Sequence, residues 1–235
     1  MNKRDFARAL VAEGLGTGLL VACVVGSGVM ASDLSAGNMG LALLANSAAT
    51  AAILVVLIVS LGPVSGAHFN PVVTLTSALS GGMGPCIAAS YMASQVLGGL
   101  LGTVLAHGMF EQALLQQATQ QRHGSGQFVG EFVAAFGLML AIVLTARKQP
   151  SALPAVVGLF IGSAYWFTSS TSFANPAVTL ARAFSDTFTG IRLTDVPAFV
   201  VAQFAGACCG SLCGGWLAGR ERPGLLIEED DSDVS

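Results

Sequence analysis

Two short stretches hold the residue types whose chemistry is easiest to name: Asn70-Pro71-Val72 and Asn175-Pro176-Ala177, each followed by Val-Thr-Leu. Asn is a favoured helix N-cap. Pro is favoured at the first helical position, where its fixed φ suits the helix and its missing N–H would be unpaired anyway. Each pair therefore starts a helix and leaves an amide beside a helix N-terminus, which carries roughly half a positive charge. Such a group can donate to an uncharged oxygen-bearing molecule and disfavour a cation. It makes and breaks no covalent bond. The sequence offers no nucleophile, base and orienter set and no metal-ligand cluster, so neither catalysis nor a cofactor or metal is expected.

The segments behind these pairs, 70–79 and 175–184, are apolar but only about ten residues long, enough for roughly 15 Å of helix. That is half of a bilayer core of about 30 Å. The rest of the chain supplies the bilayer. Its 235 residues are 53% hydrophobic and 10% charged, with a mean hydropathy of +0.71, too little polar surface for a soluble domain. Six longer apolar stretches, at about 8–30, 40–61, 85–107, 128–146, 153–170 and 194–218, are each long enough to cross. The basic start with Lys3, Arg4 and Arg8 superficially fits a signal peptide. The long run behind it, opened by Glu13 and followed by equally apolar segments, favours a first span.

The halves repeat. Val11-Ala12-Glu13 matches Val129-Gly130-Glu131, Asn70-Pro71 matches Asn175-Pro176, and Gln95 with Gly98 and Gly102 matches Gln203 with Gly206 and Gly210. Three spans per half is an odd number, so the halves are inverted, at about 5–107 and 125–219. The two half-length helices then enter from opposite faces and meet N-terminus to N-terminus. Lys3, Arg4, Arg8, Arg147, Lys148, Arg220 and Arg222 fall on one side and Arg122, Arg182 and Arg192 on the other, which puts both termini inside. The expected organisation is an all-α membrane domain over 1–219 and an acidic cytoplasmic tail over 220–235. A net charge of −3 without a basic stripe argues against nucleic acid. The five cysteines lie in apolar runs without metal spacing.

With Ser65-Gly66-Ala67-His68-Phe69-Asn70-Pro71, Asn175-Pro176-Ala177, Glu13 and Glu131 taken together, the chain resembles the major intrinsic protein family of aquaporins and aquaglyceroporins. The resemblance covers about 5–219. It implies an hourglass of six tilted helices and two half-helices, a passive channel for small neutral solutes, and a homotetramer with one pore per subunit. It gives Glu13 and Glu131 the structural role of bracing the loops that carry the half-helices. The first motif departs from the family's Asn-Pro-Ala by reading Val72.

By the family's spacing, the outer selectivity ring falls on Thr50, Ser163, Ser172 and Val178. Its characteristic Arg is replaced by Val178. A wide, mildly polar and neutral ring is expected, unless Trp166 or Phe173 swings into it. That favours polyols, urea and metalloid hydroxides such as arsenous acid, as the resemblance to Arg-lacking bacterial members also implies. An orthodox water channel is the alternative within this class; a coupled transporter or membrane enzyme lacks its residues. Two readings stand for Arg182: a vestibule cation partly replacing the filter Arg, or a basic residue stabilised at a helix C-terminus. His68 either lines the vestibule or satisfies a loop hydrogen bond. His107 and His123 read as loop residues. The bacterial inner membrane is the expected location.

Overall fold

A computed structural model describes residues 2–219; the acidic tail lies outside them, as do Arg220 and Arg222. The six spans are α1 (Lys3–Leu34), α2 (Met39–Ser65), α4 (Pro85–Met109), α5 (Ser125–Lys148), α6 (Leu153–Phe167) and α8 (Val196–Leu217). The half-helices are α3 (Pro71–Leu79) and α7 (Pro176–Arg182). The described residues contain no strand. Among the described residues the fold is all-helical, with six helical segments long and apolar enough to cross a membrane, the fifth counted from Pro150 to Phe167.

The helix starts follow from local chemistry. Asn2 and Asn38 cap α1 and α2, their side chains accepting from Asp5 N–H at 2.9 Å and Leu41 N–H at 3.1 Å. Pro occupies the first turn of α3, α4, α6, α7 and α8, where no N–H is needed. At its C-terminus α2 is closed by Gly66, whose φ of 89° suits a residue without Cβ.

Two helix pairs, α1 with α4 in the first half and α5 with α8 in the second, are each joined by close backbone contact. A Cβ placed on Gly98 or Gly102 would sit 2.1 or 2.2 Å from the carbonyl oxygen of Gly14 or Gly18. One on Gly206 or Gly210 would sit 2.2 Å from that of Phe132 or Phe136. The glycines spaced by four therefore serve packing within the chain. Their partners are equivalent too, since Gly14 and Gly18 stand to Phe132 and Phe136 as Glu13 stands to Glu131. Leu19, Leu101, Leu105, Val201 and Leu212 are exposed on the outer surface, as apolar side chains against lipid should be.

Candidate functional site

The two Asn-Pro pairs meet. Oδ1 of Asn70 accepts from Val72 N–H at 3.0 Å, and Oδ1 of Asn175 accepts from Ala177 N–H at 3.0 Å and Val178 N–H at 3.3 Å. Each side chain thus caps its own half-helix. Each amide also donates to the other half: Nδ2 of Asn70 to the Ala174 carbonyl and Nδ2 of Asn175 to the Phe69 carbonyl, both at 2.8 Å. An amide nitrogen has two hydrogens, so each Asn keeps one for a solute.

The approaches to the caps are bent in matching fashion. Gly66, Ala67 and Phe69 have φ of 89°, 51° and 49°, and Thr171, Ser172 and Ala174 have 61°, 49° and 47°. Left-handed non-Gly residues cost about 1–3 kcal/mol each, and here the same three places are bent in both halves. Such backbone at membrane depth needs internal partners. The buried carboxylates supply them. Glu13 accepts from Ser65 Oγ at 2.6 Å, His68 N–H at 3.0 Å, Phe69 N–H at 2.7 Å and Gln95 Nε2 at 2.7 Å. Glu131 accepts from Phe173 and Ala174 N–H, both at 2.9 Å, and from Gln203. The two glutamines also donate to Thr74 and Thr179 at 2.9 and 2.8 Å, tying each brace to its half-helix.

A cavity of 420 Å³ runs past this junction, lined by Asn70 and Asn175, by Ala146 and Arg147 towards the termini, and by Arg182 at the other end. Leu20, Val24, Leu54, Ile58, Leu138 and Ile142 make its walls largely apolar, while Gly66, Ala67, His68, Phe69, Ser172, Phe173 and Ala174 supply the bent backbone. His68 lines it and also pairs Nδ1 with Thr74 Oγ1 at 3.1 Å, so the two readings of this residue coexist. Val72 is buried away from the cavity against Ala135, Met139 and Ala207.

Three of the four ring positions taken from spacing, Thr50, Ser172 and Val178, line the cavity. Ser163 does not. It is exposed, and its hydroxyl donates to the Phe160 carbonyl at 2.8 Å. Tyr165 stands on the cavity instead, its hydroxyl 3.2 Å from Thr50 Oγ1. The α6 face is set by Leu153, Val157, Ile161 and Tyr165 at helical spacing of four, which Ser163 breaks by two. Tyr165 thus places an aromatic side chain on the cavity where the spacing put a serine. Trp166 points outward, donating Nε1 to Ser47 Oγ at 3.1 Å. Phe173 lies beneath Arg182, edge-on to Phe199 at 5.2 Å.

Arg182 is the basic residue of the last turn of α7 and is buried there. It is 2% exposed, lines the cavity, donates Nε to the Thr189 carbonyl and holds its guanidinium carbon 3.3 Å from the Phe173 ring centroid. It also lines a second cavity, of 520 Å³, at the mouth away from the termini. His107 is not a loop residue: it lies in the last turn of α4, fully buried, with Nδ1 3.1 Å from the Leu114 carbonyl and Nε2 3.0 Å from Ser185 Oγ.

The pattern of the major intrinsic protein family matches residues 1–174, ending one residue short of Asn175. The chain belongs to the major intrinsic protein family. It is 53% identical over 223 residues to Aquaglyceroporin AqpS of Rhizobium meliloti (strain 1021), with 95% of both proteins covered. It is 30% identical over 218 residues to Aquaporin NIP2-1 of Zea mays, covering 89% of this chain and 69% of the maize protein. The fold is similar to that of the aquaglyceroporin from Plasmodium falciparum, with a TM-score of 0.64, 21% identity and 92% and 96% of the two chains covered. Membership in this family makes the chain an integral membrane channel for small uncharged solutes, not an enzyme.

Proposed function

We propose that this chain is an aquaglyceroporin-type channel whose selectivity ring is Thr50, Tyr165, Ser172 and Val178, and that it passes polyols, urea or metalloid hydroxides such as arsenous acid together with water. The observation that carries this reading is the neutral ring: four lining residues without a cation, three of them hydroxyl-bearing and two of those, Thr50 and Tyr165, close enough to bond each other, above a cavity with apolar walls. Solutes with several hydroxyl or amide groups can exchange hydration for the Asn70 and Asn175 amides while their carbon or metalloid centre meets the apolar side. An aquaglyceroporin of Rhizobium meliloti at 53% identity is in keeping with this choice over a strict water channel.

The native form proposed is a homotetramer in a bacterial inner membrane, with both termini cytoplasmic. The excess of Lys and Arg at the terminal side supports that orientation, and it makes the mouth bearing Arg122 and Arg182 the extracellular one. The test is stopped-flow light scattering on proteoliposomes with glycerol, urea and arsenous acid against water, wild type beside Val178→Arg. Passage of the larger solutes by the wild type and their loss in the variant, with water retained, is the expected result. Passage of water alone by the wild type would make this an orthodox water channel.

A further inference from the structure

The mouth away from the termini holds two guanidinium groups, Arg122 and Arg182, and both lie on the Phe173 ring, with Cζ 4.9 and 3.3 Å from its centroid. Neither forms a salt bridge among the described residues, where the carboxylate pairings are Asp5 with Arg8 and Asp195 with Arg192. The Arg122 side chain donates to uncharged oxygens, Nε to the Gly190 carbonyl at 2.8 Å and the two Nη atoms to Ser170, Thr171 and Phe188 at 3.4 Å, while its backbone N–H donates to Asp195 Oδ2 at 2.8 Å. Arg182 is different. Although 98% of its surface is buried, neither Nη atom has a hydrogen-bond partner among the described residues; Nη1 is closed off from solvent, and the side chain lines the cavity at the mouth.

A buried cationic donor left unpaired is costly unless something else meets it. The one carboxylate lining the same cavity, Asp186, is exposed and forms no ion pair with Arg182; its Oδ1 accepts from Thr119 N–H at 2.9 Å and Thr119 Oγ1 at 2.8 Å. Ser32, Asn46, Gln120 and Thr171 complete a polar rim. Two cations over an aromatic face, one with guanidinium nitrogens that have no partner, beside a polar rim form a receptor for a small anion with oxygen acceptors.

We propose that this mouth is a binding station for a small singly charged oxyanion, held by the Arg182 guanidinium with Arg122 supplying the second charge. The cavity beyond it has walls of Leu20, Val24, Leu54 and Leu138, and a bare charge is expelled from such surroundings. The anion therefore docks and does not pass. While bound, it stands over the ring and slows neutral solutes.

The probe is methanesulfonate, which is a monoanion at every working pH and does not cross lipid, with dimethyl sulfone as its neutral near-isostere. Calorimetry on the full-length channel in detergent at low ionic strength should give saturable methanesulfonate binding, one per chain, and no binding of the sulfone. Arg182→Gln should weaken it at least about tenfold, since hydrogen bonds to charged groups contribute about 1.5–3 kcal/mol; Arg182→Lys should weaken it less. Absence of binding, equal affinity for the sulfone, or unchanged affinity in Arg182→Gln would overturn the proposal. If that variant fails to fold, wild-type proteoliposomes decide: methanesulfonate on both sides should slow glycerol entry while the sulfone does not, and an unaffected rate rejects the station. The calorimetric result stands even where glycerol is not a solute, so it separates this inference from the proposed solute class.

Discussion

The hydroxyl of Tyr165 lies 3.2 Å from Oγ1 of Thr50, 115 residues away in sequence, and joins α6 to α2 on the wall of the cavity. Oγ1 of Thr50 is also held by the Asn46 carbonyl at 2.9 Å, so the pair is fixed from one side. Tyr165→Ala should remove the bulkiest ring member and admit solutes larger than glycerol. Tyr165→Phe keeps the ring's volume and should change glycerol entry only about twofold to tenfold, the range of one hydrogen bond of about 0.5–1.5 kcal/mol. Swelling assays with a series of polyols of rising length would read both; unchanged exclusion of long polyols in Tyr165→Ala would take Tyr165 out of the ring.

Why the place of Tyr165 on the cavity escaped the spacing argument, while that of Thr50, Ser172 and Val178 did not, is a matter of reference points. Ser172 and Val178 lie three residues from Asn175 on short, rigidly capped backbone, so counting from the motif carries over well. Ser163 lies twelve residues away across the end of α6 and the bent segment from Thr168 to Ala174, where one bend changes which helix face meets the cavity. The signal was present in Leu153, Val157, Ile161 and Tyr165, one face at helical period. The spans, half-helices and repeats were legible because hydropathy, helix starts and three matched motifs agreed. Burial of Arg182 was not, because the stack on Phe173 depends on how the loop after α7 folds back.

The close glycine contacts predict matched damage in the two halves. A Cβ at Gly98 meets the Gly14 carbonyl at 2.1 Å and one at Gly206 meets that of Phe132 at 2.2 Å, in each case backbone that cannot rotate away. Gly98→Ala and Gly206→Ala should each cost about 1–3 kcal/mol or more, as overpacking does, and lower the melting temperature in detergent by similar amounts. A tolerated alanine at either position would mean that α1 and α4, or α5 and α8, are not so closely joined.

The buried carboxylates predict a structural loss and not a proton-coupled one. Removing the Glu131 side chain leaves the N–H groups of Phe173 and Ala174 without their acceptor, at about 1–3 kcal/mol for each buried donor. Glu131→Ala and, by the same reasoning for His68 and Phe69, Glu13→Ala should reduce thermal stability and folded yield. In the wild type, solute entry should be the same with and without an imposed pH gradient. Uphill accumulation driven by such a gradient would assign the carboxylates a proton-carrying role instead.

Val72 separates half-helix packing from solute selection. Its side chain is fully buried against Ala135, Met139 and Ala207 and takes no part in lining the cavity, while the neighbouring Val73 does line it. Val72→Ala restores the family's usual residue but here deletes two methyl groups from a packed contact, which costs about 0.8 kcal/mol each in transfer alone and more if a cavity remains. The variant should therefore melt several degrees lower in thermal denaturation while the ratio of glycerol to water permeability stays unchanged in the same proteoliposomes. A shifted ratio at unchanged stability would mean that the residue after the first Asn-Pro pair acts on the pore through the position of Asn70, and that the cap and its packing are one functional unit.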